Sequence, residues 1–236
     1  MIAITAALAA PLFAPPERNS RYVIERVIEG PEPQRFRIDR SIRFARDKDG
    51  VVADIVLERT EQTPPGPAAD LFAKAQAPFL GRTLRAHYAP DGSVLAVDGS
   101  DAAFAAMVAT LDPRAAAPLL ALPPERRRAM VASIADTLPA GADAVAAPGV
   151  QRVTLTSALP GGTPVRLTGT RTIARASETR LTLTVHAEGE GITLDRSRTV
   201  DPATGLVLEE RETRVLTVDG VARTSRSTTT LIAAVS

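Results

Sequence analysis

The stretch Gly81–Leu111, GRTLRAHYAPDGSVLAVDGSDAAFAAMVATL, holds the point where this chain passes from one kind of structure to another. Leu84, Ala86 and Tyr88 alternate with Thr83, Arg85 and His87, the period of two that a half-buried strand shows. Asp91-Gly92 supplies a tight turn, glycine being free to take the positive φ that such turns need. Val94–Val97 is short and continuously apolar, as a well-covered strand would be. Ser100 follows as an N-cap with Asp101 in the first turn, and Phe104, Met107, Val108 and Leu111 fall at i, i+3, i+4 and i+7. The stretch predicts two short strands feeding an amphipathic helix that breaks at Pro113.

Upstream the pattern is β. Phe36, Ile38, Ile42 and Phe44 alternate with Arg37, Asp39, Ser41 and Arg43; Asp47-Lys48-Asp49-Gly50 turns the chain, and Val51, Ala53, Ile55 and Leu57 complete a hairpin. The run from Tyr22 to Ile28 is a partner strand. Pro64, Pro65 and Pro67 stop the pairing, since proline cannot donate to a ladder, and Leu71, Phe72 and Ala75 follow at helical spacing.

Downstream, a helical turn from Arg114 to Leu122 leads to a second helix beginning near Pro124. It is expected to bury Met130, Val131, Ile134 and Leu138 and to turn Arg126, Arg127 and Arg128 to solvent. Residues 140–149 are small and read as a flexible linker within the domain or a boundary. Beyond them the chain is all strand. Leu181, Leu183, Val185 and Ala187 alternate with polar neighbours, and turns at Gly189–Gly191, Asp201–Gly205 and Asp219-Gly220 join long segments whose middles carry mixed charge. Such middles suit cross-strand Arg–Glu and Thr–Thr pairs on a hydrated sheet. The expected fold is mainly β: a long, curved antiparallel sheet, half-barrel or open barrel, with a helical insertion at about 100–138 packed on it. Residues 21–236 form a single domain and 15–20 a linker.

Met1–Ala14, MIAITAALAAPLFA, reads as the apolar run and small-residue end of a secretory signal peptide, with Leu12-Phe13-Ala14 ahead of the cut. No basic residue precedes the run and Pro15 follows it, so an apolar tail or N-terminal strand is the alternative. The run falls short of the roughly 20 residues of a membrane span. A periplasmic or secreted address is expected.

Composition excludes several functions. Only 3% of residues are aromatic and none is Trp, which leaves little to stack bases or sugars on. Basic and acidic residues number 28 and 27, without the basic footprint that nucleic-acid binding needs. There is no Cys, hence no disulfide and no thiolate chemistry. Histidine occurs twice, at His87 and His186, far apart and on the polar side of their strands. Asp47-x-Asp49-Gly50 lacks the later ligands of a calcium loop, and Glu188-x-Glu190 between glycines reads as a solvated turn. Catalytic residues, metal ligands and cofactors are not expected. Arg126-Arg127-Arg128 is either a solvated face or a contact for anionic headgroups or an acidic partner.

The order of features is a strand pair, the Gly81-x-Thr83-Leu84 strand, the Tyr88-x-Pro90-Asp91-Gly92-x-Val94 turn and Val97-x-Gly99 before the helices. A closing meander with Asp201-Pro202-x-Thr204-Gly205-Leu206 completes it. It resembles the uncharacterised bacterial secreted proteins of the DUF6263 family. More distantly it is similar to the periplasmic lipoprotein-carrier (LolA-like) half-barrels, an antiparallel sheet wrapped around helices. The resemblance spans roughly Arg21–Ser236, rests on turn chemistry, and carries over no catalytic residue. The carrier likeness implies a hydrophobic cavity between sheet and helices.

The expectation that follows is an exported, non-enzymatic binding protein holding an apolar or lipid-like ligand between sheet and helices. Leu84, Tyr88, Val94, Phe104, Met107, Val108, Met130 and Ile134 are the candidate pocket wall, or equally the core that any helix needs against a sheet. The alternative is a structural or partner-binding envelope protein using an exposed sheet face or edge. Expected partners are an apolar small molecule or lipid, or an envelope protein, with no nucleic acid and no transmembrane span.

Overall fold

Alternating sequence becomes antiparallel ladder along most of the chain. The computed structural model describes residues 13–48, 50–158, 164–218 and 220–233. The first strands are β1 (Asn19–Ile28), β2 (Gln34–Asp47), β3 (Gly50–Thr63), β4 (Thr83–Tyr88) and β5 (Val94–Val97). After the helices come β6 (Gly149–Ala158), β7 (Pro164–Ser177), β8 (Arg180–Gly189), β9 (Ile192–Asp201), β10 (Leu206–Val218) and β11 (Val221–Ala233). The helices are α1 (Pro67–Gln76), α2 (Ser100–Ala109), α3 (Pro113–Leu120) and α4 (Pro124–Ala132).

The strands form one sheet in the order β5-β4-β3-β2-β1-β11-β10-β9-β8-β7-β6. Consecutive strands are neighbours throughout, except β5 and β6, which are the two edges. The first and last strands pair in the middle, with Tyr22 opposite Leu231 and Ile24 opposite Thr229. The chain is thus an up-and-down meander that meets itself at β1–β11 and stays open at one place, where the helical block separates β5 from β6.

The sheet curls around that block. Arg40 on β2 donates to the Ile134 carbonyl at 2.9 Å and Tyr88 on β4 to the Ala135 carbonyl at 3.2 Å. The Leu138 carbonyl accepts from the Val207 amide on β10 at 3.0 Å. In a flat sheet β4 and β10 would stand roughly 24 Å apart. A segment of four residues spans at most about 14 Å, so sharp curvature brings the two strands to it. The same end of the sheet is strapped by the N-terminal segment. Phe13 N–H donates to the Pro90 carbonyl at 3.0 Å and Ala14 N–H to the Thr204 carbonyl at 2.9 Å, tying the β4–β5 turn to the β9–β10 turn. Gly92 is needed in that crowded corner: its φ is 86°, and a Cβ would fall 2.7 Å from that of Pro139.

The main core lies between the helices and β1–β5. Tyr22, Ile42, Phe44, Ile55 and Tyr88 from the sheet meet Phe104, Val108, Val131 and Leu138. Tyr22 and Tyr88 keep their hydroxyls satisfied by donating to Val207 and Ala135 carbonyls, and burial raises both phenols above their usual range. Two smaller clusters, around Leu181 and Val200 and around Leu167 and Ile192, serve the C-terminal half.

Several expectations need correction. The packed region reaches back past Arg21: Phe13 is 1% exposed, with its ring edge-on to Phe44 at 5.9 Å. Residues 1–12 lie outside the described residues, as do Asp49 and Asp219 of the expected turns. Ser100 is the first helical residue and Gly99, at φ 66°, occupies the cap position. Residues 140–149 are no free linker, since a 3-10 turn at Gly141–Val145 buries Ala140 and Ala144 against the sheet. Nor is β5 a covered strand: it is an edge, and Leu95 is 62% exposed.

Candidate functional site

Seven of the eight candidate wall residues are brought together, but mainly as filling. Tyr88, Phe104, Met107 and Val108 are buried in the main core, with Leu84, Val94 and Ile134 packed against it. Met130 stands apart, exposed on α4. The reason is helix geometry: the inward stripe of α4 and the turn after it runs through Arg127, Val131, Ala135 and Leu138, and Met130 lies a hundred degrees off it. For the same reason the three arginines cannot share a face, because three consecutive helical positions sweep about 200°. Arg127 turns inward. Its guanidinium lies 5.6 Å over the Phe104 ring and donates to the Leu122 and Leu120 carbonyls.

Of the eight, Val94 also lines a cleft of about 640 Å³ between the open edge of the sheet and the helices. One wall is β5, contributing all four of its residues, Val94, Leu95, Ala96 and Val97. Strand side chains alternate between faces, so a wall made by four consecutive residues of a terminal strand includes its unpaired backbone edge. The opposite wall is one face of α4 and the turn after it, Arg128, Ala129, Ala132 and Asp136. The start of α2 closes the end with Ser100 and Asp101. Aliphatic side chains therefore form the floor and charged ones the rim. Arg128 and Asp101 pair across the rim at 3.0 Å, which holds the Asp101 carboxyl below its usual range. Asp136 has no ion-pair partner among the described residues. The segment that carries it is pinned from the other side by Arg40, which is 8% exposed and meets no carboxylate among the described residues. It donates to the Ile134 carbonyl in the turn after α4, and burial pulls its pKa down to about 10, leaving it protonated at neutral pH.

Several ionisable groups elsewhere are paired with opposite charges. On the inner face of the C-terminal strands, Arg196 sits opposite Glu212 at 2.6 Å and Arg198 opposite Glu210, while Arg171 reaches Asp143 at 2.6 Å. On the outer face a polar groove of about 420 Å³ contains Thr170, Thr172, Thr184, His186, Asp195, Ser197, Arg211 and Thr213. His186 has Nδ1 2.7 Å from Asp195 and Nε2 3.3 Å from Glu188, and these carboxylates raise its pKa, the Asp195 hydrogen bond most. With both nitrogens facing carboxylates, neither is placed to take a proton from Ser197. His87 meets Asp98 at 3.1 Å near the other end of the sheet, so the two histidines are not brought together. Asp39, fully buried, is held by Arg21 at 2.6 Å and Arg37 at 3.0 Å. Among the described residues no group of three or more His, Asp or Glu is placed to hold a metal ion, and no helix is long and apolar enough to cross a membrane.

Reasoning from sequence passed over Leu95, Ala129, Ala132 and Asp136. The signal was there in part: Val94–Val97 is four apolar residues with no room for alternation. Its being an edge depends on the sheet order, which periodicity does not report. No family model matches the chain, and the search of curated proteins gives no match.

Proposed function

We propose that this chain is an exported, non-enzymatic binding protein that holds an apolar ligand between sheet and helices, in the cleft beside β5. The observation that carries this is the cleft itself. At about 640 Å³ it falls within the range of about 300–1,000 Å³ typical of ligand pockets, with an aliphatic floor and a few polar groups at the rim. The engagement of both His186 nitrogens by carboxylates, and of Asp39 by Arg21 and Arg37, supports a binding role over a catalytic one. Export rests on the apolar N-terminal run. A cut after Ala14 would remove Phe13 from the core. The likeness to lipoprotein carriers points to the same kind of ligand.

A neutral fluorescent probe, N-phenyl-1-naphthylamine, tests the proposal. The wild-type chain should bind it with micromolar affinity, and Leu95→Asp or Ala129→Trp, both at exposed positions on the cleft walls, should weaken binding by about tenfold or more. Absence of probe binding, or binding unchanged in both variants, would sink it. The second reading, a partner-binding envelope protein, is favoured by β6. That strand is a ten-residue edge on which Val150 is 69% exposed. An envelope partner bound by a chain that ignores the probe would favour it.

A further inference from the structure

The cleft beside β5 combines two features that an apolar small molecule would not use together. Its strand wall is the last of the sheet, so one row of backbone N–H and C=O groups faces the cleft without a neighbouring strand. Its rim carries two carboxylates, Asp101 and Asp136, against one guanidinium, Arg128, which is already paired with Asp101. Unpaired strand edges are satisfied by another extended backbone, and a net negative rim by a cation.

We infer that the occupant is an extended peptide segment of a partner protein, apolar on the side facing α4 and carrying one basic side chain that meets Asp136. The segment lies alongside Val94–Val97 as a twelfth strand. Its alternate side chains enter the floor between Val97 and Ala132, and its lysine or arginine reaches the rim. The class of ligand deepens the function proposed above and rests on it.

Two fluorescein-labelled, acetylated pentapeptide amides, Val-Lys-Val-Ala-Val and Val-Glu-Val-Ala-Val, are titrated into the full chain by fluorescence anisotropy. A third peptide is the lysine sequence with alternate backbone nitrogens methylated. The lysine peptide should bind about fivefold more tightly than the glutamate peptide, a difference that Asp136→Asn, at an exposed position, should bring within about twofold. Methylation should cost about tenfold or more, because it removes donors from the ladder. Equal affinity of the lysine and glutamate peptides, or of the methylated and unmethylated ones, would overturn the inference. If N-phenyl-1-naphthylamine binds and no peptide does, the peptide is wrong and the apolar cleft stands. If neither binds, both fall.

Discussion

His186 shows how a single polar residue on a strand can carry pH dependence without being a catalytic group. Its imidazole is flanked by Asp195 and Glu188, which raise its pKa above the ordinary 6.5. A group whose pKa is higher folded than unfolded stabilises the fold fully below the unfolded value. That contribution is lost as pH rises through the folded value. The urea midpoint of the wild-type chain should therefore fall more than that of His186→Gln between about pH 5.5 and about pH 8.5. Equal falls would mean that the carboxylates do not hold the proton. Single residues were also where sequence reasoning was weakest. Met130 and Arg127 are three apart on one helix, and an apolar count favours burying the methionine. Instead Arg127 points inward because its guanidinium stacks over Phe104 and donates to two carbonyls.

At the level of elements, the strands were largely legible because alternation is local. The curvature was not, because it depends on how close neighbouring backbones come. Gly169 on β7 illustrates this: a Cβ there would lie 1.9 Å from the His186 carbonyl oxygen and 2.6 Å from the Ala187 Cα on β8. Gly189 meets the Arg166 backbone in the same way, at 2.2 Å. These glycines let β7 and β8 press together where Leu167 and Ile192 are buried without a covering helix. Gly169→Ala should destabilise the chain by about 3 kcal/mol, read as a lower urea midpoint. Gly30→Ala, with nothing within 4 Å of the added carbon, should change it by about 0.5 kcal/mol or less. The cleft was legible in part. Phe104 and Val108 were readable as a helix stripe facing the sheet. Which strand would be left at the edge beside α4 was not, because sheet order is set by the pairing of β1 with β11, which are remote in sequence.

For the whole molecule, the curl of the open sheet is held by short straps as well as by its ladders. Phe13 fills the space between Phe44 and Tyr88, and the amides of Phe13 and Ala14 join two turns that are remote in sequence. A chain beginning at Pro15 should lose about 3–5 kcal/mol, the cost of removing a buried phenylalanine, together with the strap. Urea unfolding of the two chains measures it, and equal midpoints would show that the N-terminal segment is dispensable. The pairing of β1 with β11 sets the order in which the protein can assemble. Ser20 lies opposite Ala233, so β1 waits for a partner more than two hundred residues further along the chain. Until β11 emerges, β1 and β10 are both bare edges and the two meanders have nothing to join them. Assembly strand by strand in sequence order cannot complete this sheet early, because its central seam needs β11, which follows every other strand of the sheet.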